Sequence, residues 1–208
     1  SLKLGSPYDY RSQVKIYIEK SLPGPNSTPF VAEAAERIRK YLLETEGGAF
    51  VLFTSYSMMG RMESELAEWL SGKGFELFVQ TGGVNRSVLL DDFKQSRSGV
   101  LFGTDSFWQG VDVPGQALSN VIIVKLPFAV PNQPLIAGRL EQIREEGGNP
   151  FFEYQLPSAI IKFKQGFGRL IRGKTDSGIV VILDSRIVQK SYGHNFLQAV
   201  PECTVHIV

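Results

Sequence analysis

The chain has 208 residues, of which 43% are hydrophobic and 21% are charged, with a formal net charge of +1. This composition is typical of one globular domain, or at most two, and the near-neutral charge neither requires nor excludes a nucleic-acid partner. Cys203 is the only cysteine, and His194 and His206 are the only histidines, so no internal disulfide or cysteine-based metal cluster is expected. Without a membrane-length apolar run or an N-terminal signal pattern, we expect a cytoplasmic protein with no membrane partner.

Apolar runs of strand length alternate with amphipathic helical patterns along the chain. Such alternation predicts an α/β fold, in which helices cover both faces of a mostly parallel sheet. The predicted strands are 14–18, 49–54, 75–80, 100–103, 121–126, 178–184 and 204–208, and the predicted helices are 29–44, 57–70, 87–94, 133–145 and 157–171.

Polar segments follow three of the predicted strands, at 54–57, 80–83 and 104–112. In a parallel sheet the ligand binds beyond the carboxyl ends of the strands, which is where these segments begin. Small polar residues also make ordinary turns, and that interpretation suits the first two segments equally well. The third segment is harder to explain as a turn, because it contains Trp108, whose ring must be buried against something.

Hydroxyl and amide side chains at strand ends are suited to holding a nucleic-acid backbone without reading its bases. Aromatic side chains there can stack on bases, worth about 1–3 kcal/mol each, although packing in the core is an equal alternative for them. Asp112, close to Gly110, is placed to hold a ribose hydroxyl or to orient an arginine. The predicted backbone contacts are Thr54, Ser55, Gln80, Thr104 and Ser106, and the predicted stacking residues are Tyr56 and Trp108.

The segment 165–175 satisfies two incompatible motifs. From Gly168 it has the G-x-x-x-x-G-K-T pattern of a phosphate-binding P-loop, and from Gln165 it has the pattern Q-x-x-G-R-x-x-R. A P-loop needs a strand before it and a helix after it, whereas the apolar spacing here predicts a helix before and a strand after. We therefore favour the second motif, which places Arg169 and Arg172 on one face of a helix.

Two guanidinium groups can stabilise the charge that develops on a transferred phosphoryl group, and a supplied arginine can be worth about 10³–10⁵ in rate. Surface ion pairs are the alternative role for arginines at a helix end. Gln165, one turn earlier, favours the catalytic interpretation of Arg169 and Arg172.

Four segments together resemble the second RecA-like motor domain of superfamily-two DNA helicases, in the group that contains bacterial DinG and eukaryotic XPD. Residues 4–10 resemble the start of this domain, 51–56 resemble motif IV, 103–115 resemble motif V, and 165–172 resemble motif VI. The resemblance covers nearly the whole chain. It implies that residues 1–208 form one RecA-like domain, a three-layer sandwich of the P-loop-NTPase type.

The resemblance also implies an ATP-dependent DNA helicase, in which ATP and Mg²⁺ are held mainly by a first motor domain that this chain lacks. Such enzymes often carry an iron–sulfur cluster in that first domain, and this chain could not hold one. Gln109 stands where many relatives have Glu, so the resemblance supports a hydrogen-bonding role there and not one that needs negative charge. The residues expected at the ATP cleft are Gln165, Gly168, Arg169, Arg172, Gln109, Gly110 and Asp112, and single-stranded DNA is expected to contact the strand-end residues named above.

We therefore expect this chain to be the second motor half of a DNA helicase of repair or replication, moving 5′ to 3′, and to be inactive as a fragment. A non-catalytic nucleic-acid-binding module is one alternative, and a small P-loop kinase is another.

Overall fold

The computed structural model describes residues 8–108, 113, 117–129 and 134–208. Within them one sheet is formed by the strands β1 Val14–Ile18, β2 Ala49–Leu52, β3 Glu76–Val79, β4 Gly99–Gly103, β5 Asn120–Ile123, β6 Gly178–Ile182 and β7 Thr204–Ile207. The helices are α1 Tyr10–Gln13, α2 Phe30–Thr45, α3 Tyr56–Gly72, α4 Arg86–Gln95, α5 Asp105–Trp108, α6 Pro134–Glu145, a π-helix at Phe151–Gln155, α7 Leu156–Phe167, α8 Arg186–Gln189 and α9 Gly193–Gln198.

The strands pair in the order β3-β4-β2-β5-β6-β1-β7, and every neighbouring pair is parallel. This confirms the predicted α/β fold and all seven predicted strands. Because the strands are parallel, their carboxyl ends all meet at one edge of the sheet. We call this edge the carboxyl edge.

The central strands are apolar at successive positions because both of their faces are covered. Phe50 and Leu52 of β2 lie in a core shared with α4, α5, α7 and α9. Val51 and the following Phe53 lie in a second core, on the opposite face, shared with α2 and α3. The two cores give the three-layer architecture, helices on sheet on helices.

A glycine at the end of β4 allows α5 to lie directly against the sheet. A Cβ built on Gly103 would come within 2.7 Å of the Phe107 side chain, so any larger residue would push α5 away. The backbone N–H of Phe53 donates to the carbonyl of Gly103 at 2.8 Å, which keeps the ends of β2 and β4 aligned. This close packing fixes α5 next to the carboxyl edge.

The predicted helix 157–171 is too long at its C-terminal end, and this is the main correction to the predicted elements. The α-helix α7 ends at Phe167, with Gly168 as its C-cap residue, and a π-helix turn precedes its start at Leu156. Glycines at 166 and 168 weaken the last turn, because glycine has low helix propensity and favours helix ends. Arg169 and Arg172 consequently lie in the loop that follows the helix and leads into β6, which we call the arginine loop (residues 168–176).

Candidate functional site

The side chain of Gln80 joins the carboxyl ends of β2, β3 and β4. Its Oε1 accepts hydrogen bonds from the Thr104 backbone N–H at 2.7 Å and from the Thr104 hydroxyl at 2.9 Å. Its Nε2 donates to the Ser106 hydroxyl at 3.0 Å and to the Tyr56 hydroxyl at 2.9 Å. Four residues predicted to contact nucleic acid thus form one hydrogen-bonded group at the carboxyl edge.

Members of this group differ in what they present to a ligand. Thr104 is only 3% exposed and its hydroxyl is engaged with Gln80, so its observed role is to hold the edge together, not to offer the expected phosphate contact. Tyr56 is 58% exposed, while Gln80 donates a hydrogen bond to its hydroxyl. The result is an aromatic surface that faces solvent in a defined orientation.

Ser55 begins α3, the helix that follows β2. Its Oγ accepts a hydrogen bond from the Met58 backbone N–H at 3.2 Å, as an N-cap residue does. Ser55 is exposed and the preceding Thr54 is half-buried. Because α3 starts where β2 ends, the partial positive charge of its N-terminus lies at the carboxyl edge, where it favours an anion such as a phosphate.

Trp108 does not stack on a base in this geometry, which corrects the expectation for this residue. Its ring is 0% exposed and its indole Nε1–H donates to the Phe53 carbonyl at 3.0 Å. A Cβ built on Gly166 of α7 would come within 2.8 Å of the ring, so the glycine is what allows the indole to pack there. Lys162 lies with its Nζ 5.9 Å from the ring centroid. Trp108 is therefore a core residue that links α5, β2 and α7.

The two arginines of the arginine loop occupy different environments. Arg169 is 9% exposed, and its Nη2 donates to the backbone carbonyl of Trp108 at 3.0 Å. Arg172, by contrast, is exposed. Gln165 is half-buried, and its Oε1 has no hydrogen-bond partner among the described residues. The expectation that both arginines share one helix face is wrong, because the helix ends before either of them.

The arginine loop has its helix and strand in the order opposite to that of a P-loop. A helix, α7, precedes it and a strand, β6, follows it. The backbone N–H groups of Arg172 and Gly173 donate to Oδ2 of Asp176 at 2.8 and 2.7 Å, within the loop. The backbone amides that a P-loop would direct at a phosphate thus donate to a carboxylate of the same loop. Lys174, the lysine of the P-loop pattern, is an exposed turn residue.

Three residues predicted for the ATP cleft, Gln109, Gly110 and Asp112, lie outside the described residues. Gly168, also expected at this cleft, is half-buried at the end of α7 and begins the arginine loop.

A buried ion pair at the end of β6 was missed by sequence reasoning. Asp184 is 0% exposed, and its carboxylate accepts from Arg186 Nε at 2.8 Å and Nη2 at 2.5 Å and from the Leu126 backbone N–H at 2.8 Å. The hydrogen bond to Asp184 raises the pKa of Arg186, while burial, and then the charge of Arg186, lower the pKa of Lys125. Polar residues directly after an apolar strand were the available signal for this pair.

No group of three or more His, Cys, Asp or Glu side chains within the described part of the chain is arranged to hold a metal ion. None of the described helices combines the length and the apolar character of a membrane span.

Comparison with known proteins identifies relatives over most of the chain. The family described as "Helicase C-terminal domain" matches residues 38–203. The "ATP-dependent DNA helicase YoaA" of Haemophilus influenzae is 42% identical over 198 residues, which cover 95% of this chain and 30% of that protein. The "3'-5' exonuclease DinG" of Bacillus subtilis is 38% identical over 210 residues, which cover 99% of this chain and 22% of that protein. The chain thus spans less than a third of these relatives.

The fold is also found among solved structures. One described as "XPD_Helicase" superposes with a TM-score of 0.73 at 19% sequence identity, covering 94% of this chain and 35% of that one. At this identity the likeness concerns the fold, and it confirms the predicted RecA-like architecture.

Proposed function

Because this chain belongs to the family of helicase C-terminal domains, we propose that it is the second motor domain of an ATP-dependent DNA helicase of the DinG type. In this proposal a first motor domain of the same polypeptide holds most of ATP and its Mg²⁺, and any iron–sulfur cluster. The relatives are more than three times as long as the matched region, which leaves room for such a domain. Isolated, the domain would not hydrolyse ATP.

The observation that carries the proposal is the arrangement of the arginine loop. Arg172 is exposed on a loop whose backbone carbonyls accept hydrogen bonds from Tyr8 and Gln13, while Arg169 is buried and donates to the Trp108 carbonyl. A guanidinium presented in this way suits a phosphoryl group that another domain holds, since it stabilises the charge developing in the transition state. We assign that role to Arg172, with Arg169 and Gln165 beside it at the same cleft.

The carboxyl edge is proposed to contact single-stranded DNA. Ser55 and the N-terminus of α3 suit a phosphate, and the anchored ring of Tyr56 suits a base, which together bind a strand without reading its sequence. Gln80 and Thr104 hold this surface in shape. Closing and opening of the two domains around ATP would then move the strand, in the 5′-to-3′ direction that the family resemblance suggests.

The test is Arg172→Ala in the full-length protein, measured as ATP turnover stimulated by single-stranded DNA. The expected loss in kcat is about 10³-fold or more. Arg139→Ala is the matched control, because Arg139 is an exposed arginine on α6 that donates a hydrogen bond to Gln142 of the same helix. Its turnover should be unchanged. Turnover of Arg172→Ala within about tenfold of the parent would contradict the arginine's role.

A second measurement separates the proposal from its alternatives. The isolated domain is titrated with a non-hydrolysable ATP analogue, and weak binding is expected. Micromolar binding that Lys174→Ala abolishes would instead support a P-loop kinase. A non-catalytic binding module would show single-strand binding by the full-length protein but no ATP turnover.

A further inference from the structure

The turn from Gly173 to Asp176 contains the end of the P-loop-like pattern and lies immediately after Arg172. Its own contacts show what it does. The Asp176 carboxylate, half-buried, accepts two backbone N–H groups on one oxygen, from Arg172 at 2.8 Å and from Gly173 at 2.7 Å. Charge-assisted hydrogen bonds of this kind are roughly twice as strong as neutral ones. They therefore fix the backbone of the arginine loop at Arg172 and Gly173.

The other side of the turn is held by Gln13, which precedes β1. Its side chain is buried, with 8% of the residue exposed, and its Nε2 lies 3.0, 3.2 and 2.7 Å from the carbonyl oxygens of Gly173, Lys174 and Asp176. The next residue, Val14, is in register with Gly178 of β6. One amide from a distant part of the sequence therefore closes the turn onto the sheet.

The backbone carbonyl of Arg172 is also held. It accepts a hydrogen bond from the Tyr8 hydroxyl at 2.9 Å. Both polar groups of the Arg172 peptide backbone are thus engaged, the N–H by Asp176 and the C=O by Tyr8.

We propose that Asp176, assisted by Gln13 and Tyr8, is a positioning residue that fixes the backbone of Arg172 so that its guanidinium is presented to ATP. The inference rests on the proposed role of Arg172. A carboxylate that does not touch ATP can matter for turnover because a shift of about 1 Å in a catalytic group can reduce the rate about 100-fold. Preorganisation of this kind affects kcat, since the arginine acts on the transition state.

The experiment compares three single variants of the full-length protein in DNA-stimulated ATP turnover. Asp176→Ala removes the acceptor for both amides and should lower kcat about 10- to 100-fold, with the KM for ATP within about twofold. Asp176→Asn keeps one acceptor oxygen and should recover most of the lost kcat. Lys174→Ala changes an exposed neighbour in the same turn and should leave kcat unchanged.

Arg172→Ala separates the failure of this inference from the failure of the proposed function. If Arg172→Ala itself is harmless, the proposed function fails. If Arg172→Ala is severe but Asp176→Ala stays within about twofold of the parent in kcat, only the positioning role fails. In the double variant, Asp176→Ala should add nothing to Arg172→Ala, and a further loss would overturn the inference by showing that Asp176 acts through another route.

Tyr8→Phe keeps the proposal testable if Asp176→Ala does not fold. It removes a single hydroxyl and should lower kcat about two- to tenfold without changing the KM for ATP. If Asp176→Ala does not fold, unchanged kcat in Tyr8→Phe would assign the turn a structural role alone and overturn the inference.

Discussion

Gly166→Ala tests the packing that places Arg169. The added methyl group would lie 2.8 Å from Trp108 Cε3, 3.0 Å from its Cζ3 and 3.2 Å from Leu52 Cδ1. The indole cannot rotate away easily, because it is fully buried and its Nε1–H is bonded to the Phe53 carbonyl. Alanine therefore forces either α7 or the indole to move.

The expected change in the free energy of unfolding follows from two opposing effects. Overpacking of a well-packed core costs about 1–3 kcal/mol, and replacing a helical glycine by alanine gains up to about 1 kcal/mol in helix propensity. The net expectation is a loss of about 1–2 kcal/mol in the free energy of unfolding. For a domain of this size, that loss lowers the unfolding midpoint by roughly 2–8 °C.

The assay is thermal unfolding of the 208-residue domain by circular dichroism, with Gly60→Ala as the control. Gly60 also lies within a helix, α3, but a Cβ built there meets nothing within 4 Å. The same substitution should therefore raise the midpoint at position 60 and lower it at position 166. Equal, positive shifts at both positions would refute the described contact between Gly166 and Trp108.

Two further expectations concern the end of β6 and the single cysteine. Asp184→Ala leaves Arg186 without its buried partner and should lower the free energy of unfolding, measured in urea, by about 3 kcal/mol. As the control, Glu202→Ala removes an exposed ion pair with Arg11 and should leave the urea midpoint unchanged. Burial raises the pKa of the Cys203 thiol from 9.0 to about 11, which keeps the thiol protonated at pH 8. Because the thiolate is the reactive form, iodoacetamide at pH 8 should alkylate Cys203 about 100-fold more slowly in the folded chain than in the unfolded chain. Equal alkylation rates would contradict its burial.

The sheet could be predicted from the sequence because its central strands are continuous apolar runs. Residues such as Val51 and Ile122 are buried, and no helical spacing competes with the strand pattern around them. The short helix α5 could not be predicted, since four residues carry no periodicity. Its position depends on Gly103, whose missing Cβ leaves space for Phe107, and such a contact is visible only in three dimensions.

The candidate site was predicted less completely than the fold. Polar residues after strands identified the carboxyl edge, but the burial of Trp108 depends on Gly166, 58 residues further along the chain. Likewise the contact between Gln13 and the turn at Gly173 joins residues separated by 160 positions. The spacing of residues in the sequence predicts which residue types lie near a site. Contacts between residues distant in sequence decide which of those side chains are buried and which can face a ligand.

Chain direction explains why the P-loop pattern could not function as a P-loop here. In a P-loop the glycine-rich segment precedes a helix, whose N-terminal amides carry partial positive charge toward the phosphates. The arginine loop instead follows α7, and the C-terminus of a helix carries partial negative charge, which repels a phosphate and favours cations. Positive charge for a phosphate must then come from side chains. In the proposed function Arg169 and Arg172 supply it, while the loop amides that a P-loop would offer donate to Asp176 and hold the Arg172 backbone in place.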